Sequence, residues 1–161
     1  MLSYVRVEIE ERGETDMQIM KLLDNRLLIN SLIAWISAQV IKTIIYAIVN
    51  RRIDWERLFG DGGMPSGHSA TVTALALTAA LHYGFDSAVF AVCAILAIIV
   101  MHDATGVRLE AGKHARAINE LMQMLESNKE TEEKLKELLG HTPLQVISGV
   151  VLGAIIAIIL T

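Results

Sequence analysis

Residues 144–160 read Leu-Gln-Val-Ile-Ser-Gly-Val-Val-Leu-Gly-Ala-Ile-Ile-Ala-Ile-Ile-Leu, a run without a single charge. Three related blocks precede it. Leu27–Val49 is broken only by Asn30, Ser31, Ser37, Gln39, Lys42 and Thr43, and Ser69–Leu81 and Ser87–Met101 are shorter. A bilayer core takes about 17–25 helical residues, so the first and last blocks suffice, while the middle two need shielding by their neighbours. Four such blocks in 161 residues leave too little polar surface for a soluble protein. The expected fold is all-α: a polytopic membrane helical bundle of about four spans, multi-pass in the cell membrane.

The rest of the chain fits around those blocks. Residues 1–26 mix six acids with four basic residues and form a polar N-terminal tail; residues 27–161 form the membrane-embedded domain. Within that domain, residues 107–139 read as a charged, soluble helical insertion. Ser127 with Glu130 fits a capping box, Glu130–Lys134 and Glu132–Lys136 are i,i+4 pairs, and Gly140 stops the helix. Thr142-Pro143 supplies the N-cap and first position of the last span. Gly149 and Gly153 give it a small-residue face for helix contact, and a homodimer through that face is expected. The net charge of −4, with no basic face, argues against nucleic acid as a partner. Cys93 is the only cysteine, which excludes an internal disulfide and a multi-cysteine zinc site.

The chemistry concentrates at Gly62-Gly63-Met64-Pro65-Ser66-Gly67-His68-Ser69-Ala70, which opens onto the second block. Pro65 and Gly67 hold a tight turn and Ser66 caps the helix. The N–H groups of its first turn then face outward as an anion site beside the titratable His68. With four spans, alternation puts the loops 50–67 and 102–142 on one membrane face. They carry nine basic residues against four in the tail, which favours the cytoplasmic side for both. His68, Arg51, Arg52, Arg108 and His141 then share a surface, and Lys42 lies within about two turns of it. A lysine there is expensive unless it snorkels or meets an anion. Two histidines at two helix N-termini among cations suit phosphoryl transfer. His82, His102 and His114 read as structural.

Gly63-Met64-Pro65-Ser66-Gly67-His68 resembles the central motif of the type 2 phosphatidic acid phosphatase superfamily, which also includes vanadium-dependent haloperoxidases. Lys42 with Arg51 resembles the first motif, at longer spacing and without the usual proline after the arginine. Arg108 and His141-Thr142-Pro143-x-x-Val146-x-x-Gly149 resemble the last motif, split here by the helical insertion. Residues 25–161, with Asp103-Ala104-Thr105-Gly106-Val107-Arg108, are similar to the divergent branch described as acid phosphatase/vanadium-dependent haloperoxidase-related.

The resemblance implies metal-independent hydrolysis of a lipid-linked phosphate or prenyl diphosphate through a phosphohistidine, without a cofactor. His141 would be the nucleophile and His68 the general acid. Lys42, Arg51 and Arg108 would clamp phosphate, and Ser66 and Gly67 would add a hydroxyl and an N–H. One departure stands out: the acid four residues after the nucleophile is Gln145 here, with Asp103 as a candidate substitute. That departure keeps alternatives open: a catalytically impaired member that binds anionic headgroups or scaffolds a membrane complex, or a protein that moves headgroups across the bilayer.

Overall fold

The computed structural model describes residues 17–52, 63–125 and 141–161, and among them it is helical without strands. After a helical turn at 17–23 come α1 (Arg26–Asn50), α2 (Gly67–Tyr83), α3 (Ala88–Thr105), α4 (Val107–Leu125) and α5 (Pro143–Leu160). The starts of α1, α2, α3 and α5 are local polar caps. Asn25, Ser66, Ser87 and Thr142 accept from the N–H groups of Leu28, Ser69, Phe90 and Gln145, each such cap contributing about 1 kcal/mol.

Hydrogen bonds at the two ends fix the directions. Arg26 Nη1 donates to the Thr161 carbonyl at 3.2 Å, and the buried Asn30 amide donates to Thr78 Oγ1 at 3.2 Å and Thr161 Oγ1 at 3.3 Å. The start of α1 therefore meets the ends of α2 and α5. At the other end the Ser66 N–H donates to the Gln145 carbonyl at 3.0 Å, so α2 and α5 begin together and run parallel. The Gly84–Ser87 turn makes α3 antiparallel to α2. α2 is the central helix, packed against α1, α3 and α5.

The side-chain arrangement is inverted relative to a water-soluble bundle. The core is Ala34, Ala38, Ala70, Ala74 and Ile156, while Val92, Ile95, Ile98, Ile99, Ile158 and Ile159 face outward. Small residues inside let backbones approach closely, and large aliphatic groups outside meet lipid at no cost. Arg26–Asn50, Pro143–Leu160 and a stretch from Ala88 to Met122 that begins with α3 are long and apolar enough to cross a membrane.

The second block gives a helix of 17 residues, at the short end of the range for a span, beside three helices that are longer and apolar enough to cross. Two expectations change. Of the two middle helices only α2 is shielded; α3 buries little beyond Cys93, Ala97 and Ala104. Gly149 and Gly153 do not form an outer dimer face. A Cβ on Gly149 would run into the Ser66 carbonyl and lie 2.9 Å from Ser69 Cβ; one on Gly153 would run into the Ala70 carbonyl. Both glycines are consumed within one chain because α2 is the neighbour small enough to seat there.

The polar segments are only partly described. α4 follows α3 with Gly106 alone between them, so the insertion begins as helix, and Lys113 Nζ pairs with Glu110 at 2.7 Å on its exposed face. The capping box at Ser127 and the stop at Gly140 lie outside the described residues, as does the tail up to residue 16.

Candidate active site

The site is built at the end of the bundle where α2 and α5 begin. Gly63 takes φ +87°, a left-handed conformation that side chains rarely adopt, and the Met64–Pro65 peptide is cis. The turn then reaches Ser66, which is fully buried. Its hydroxyl accepts from the Ser69 N–H at 3.4 Å and the Ser69 hydroxyl at 3.0 Å. The N–H groups of Gly67 and His68 belong to the first turn, where no carbonyl of the same helix can reach them. A partial positive charge collects there.

His141 is brought in by two contacts that the sequence pattern does not reveal. Its N–H donates to the Ala104 carbonyl at the end of α3, 3.0 Å away. Its ring lies 6.3 Å from that of His68, centre to centre, with the planes tilted by 53°. His141 is buried and His68 exposed, so the pair runs from the bundle interior to its surface. Two helix N-termini and two imidazoles thus come together at this end of the bundle.

Gln145 has two partners. Its Oε1 accepts from the Thr142 N–H at 3.0 Å, completing the capping box, and lies 3.3 Å from His141 Nδ1. Because the Thr142 N–H can only donate, the atom facing it is the amide oxygen. That same oxygen can only accept from His141. The contact therefore selects the Nδ1–H tautomer and leaves Nε2 with its lone pair. The amide does the orienting work of a carboxylate but supplies no charge.

Lys42 reaches the site from α1. It is only 6% exposed, and its stem runs beneath Gly63, where an added Cβ would lie 3.1 Å from Lys42 Cγ. Its ammonium donates to Gln39 Oε1 at 2.8 Å. Arg51 stands exposed at the C-cap of α1, with φ +52°, at the same end of the bundle. Asp103 precedes the residue whose carbonyl holds His141. Arg108 lies in the first turn of α4, and its side chain is outside the described residues. Among the described residues no cluster of three or more His, Cys, Asp or Glu forms. His82 is remote from this site. It packs edge-on against Tyr83 and lines, with Lys21, Asp24 and Arg26, an open groove of about 320 Å³ at the opposite end.

The family model described as the divergent PAP2 family matches residues 23–156. The chain belongs to that family. It is also 47% identical over 153 residues to the uncharacterized membrane protein YuiD of Bacillus subtilis (strain 168), covering 88% of this chain and 97% of the relative. No solved structure matches it. The divergent PAP2 membership agrees with the turn at 63–68 and with the lipid-facing character of the bundle. One member of the site, Gln39, has no counterpart among the motif residues. A buried amide three positions before a lysine, inside an apolar span, was the only sign of it.

Proposed function

We propose that this protein is a multi-pass phosphatase of the cell membrane that hydrolyses a lipid-linked phosphate or diphosphate through a phosphohistidine. The observation that carries the reading is the facing of His141 and His68 at 6.3 Å where α2 and α5 begin. His141 Nε2 attacks phosphorus, a P–N bond forms, and the P–O bond to the lipid breaks. His68 gives its proton to the leaving oxygen. Water then attacks the phosphohistidine, His68 takes its proton, and the P–N bond breaks to release phosphate. Lys42, Arg51, Arg108 and the N–H groups of Gly67 and His68 offset charge on the equatorial oxygens. The nucleophile is the buried imidazole and the acid the exposed one, so the leaving group departs toward the open side. The excess of basic residues in the loops at this end favours the cytoplasmic surface for it.

The test is purified protein assayed against phosphatidate, phosphatidylglycerophosphate and prenyl diphosphates in detergent and liposomes, with the two histidine variants as controls. Phosphate release dependent on both histidines is expected, and its absence from every substrate sinks the enzyme reading.

Gln145 favours one other reading, a member that binds anionic headgroups without turnover, since its amide cannot stabilise an imidazolium by charge. Gln145→Glu separates the two. The carboxylate keeps the cap on Thr142 and favours protonated His141, raising that imidazole's pKa. Turnover should rise, and the acid limb of the pH profile, which reports loss of the neutral nucleophile, should move to higher pH. A wild-type enzyme whose rate and profile are untouched by Gln145→Glu would mean that the contact has no catalytic part.

A further inference from the structure

The geometry points to Gln39 as a positioning residue that aims the Lys42 ammonium at the anion locus through a neutral acceptor. This rests on reading the His68–His141 site as a phosphate site. Gln39 is a buried amide in an apolar span, which costs free energy unless its polar atoms are matched. Residues three apart share a helix face, and Gln39 Oε1 accepts from Lys42 Nζ at 2.8 Å. The same oxygen lies 4.0 Å from where a Cβ on Gly67 would stand, and Trp35 Cδ1 lies 3.5 Å from that point. The ammonium is therefore held beside the first turn of α2. Gly63, on the other side, leaves room for the lysine stem.

The choice of amide has a chemical consequence. A glutamate at position 39 would have nearly the same shape and would accept from Lys42 at least as well. It would also bring the pair's charge from +1 to zero beside the site where a phosphate must bind. A merely structural Gln39 would tolerate that change; a positioning residue for an anion-binding lysine would not.

The experiment measures binding of orthovanadate and inorganic phosphate to the full-length protein in detergent, alongside substrate kinetics and thermal unfolding. For Gln39→Glu the expected result is an unfolding midpoint equal to or above that of wild type. Anion affinity should fall by at least about tenfold, with the loss in KM rather than kcat. Gln39→Met, which keeps the charge but removes the acceptor, should weaken binding by roughly threefold and lower the midpoint. Wild-type affinity in either variant overturns the role of Gln39, while phosphate release by the wild type would still stand. A wild type that binds vanadate but releases no phosphate, with binding weakened by Gln39→Glu, overturns the phosphatase reading and keeps Gln39. A wild type that binds neither anion overturns both.

Discussion

Replacing His141 with alanine is expected to lower phosphate release by roughly 10³-fold or more while leaving the fold intact. The backbone contact to the Ala104 carbonyl does not depend on the side chain, so α5 stays docked. What disappears is the nitrogen proposed to form the P–N bond. His68→Ala should behave differently. Its proton matters most for a poor leaving group, so a substrate with an acidic phenol as leaving group should recover much of the rate in His68→Ala and little in His141→Ala. The readout is the ratio of the two variants across leaving groups. Unchanged release in His141→Ala would remove the phosphohistidine, and a leaving-group dependence shared equally by both variants would remove the division of roles.

The second large effect concerns stability. Gly149→Ala and Gly153→Ala should each destabilise the bundle by about 1–3 kcal/mol, lowering its unfolding midpoint in detergent by roughly 5–10 °C. The obstacles are the backbone atoms of Ser66 and Ala70, which have no rotamer to escape into. Gly153→Val should be worse still. Ile155→Ala is the matched control, since Ile155 is half exposed on the outer face of the same helix and should change the midpoint little. Because Gly149 rests on Ser66, its variant should also weaken vanadate binding, as the turn that caps α2 is pushed off α5. Glycine variants that melt with the wild type would mean that α5 does not lie against α2 as described.

These contrasts show what each level of description could reach. The four apolar runs, the caps at Ser66 and Thr142, and the Pro65–His68 turn are local features that adjacent residues dictate. They were legible, and the helices start within a residue or two of the expected positions. The expectation of an anion site at the start of α2 came from the same local chemistry. The role of Gln145 was half legible: the missing charge is visible in the sequence, but the contact with His141 Nδ1 is a consequence of the capping box. Gln39 was present only as an interruption in a span, because a polar residue in an apolar helix does not announce which partner it serves.

By itself the sequence determined that this is a helical membrane protein whose second apolar helix opens on a Ser66-capped turn. Only the tertiary structure decided which faces of its helices meet. In a water-soluble bundle, polarity tells a helix which side is inward. Lipid is as apolar as the core, so hydrophobicity cannot make that choice for α3 or α5. Size does. Gly149 and Gly153 lie inward because the Ser66–Ala70 backbone can come close only there, and that approach carries the Ser66 turn and the start of α5 into register. The meeting of His68 and His141 follows from this packing of small residues, which no local pattern encodes.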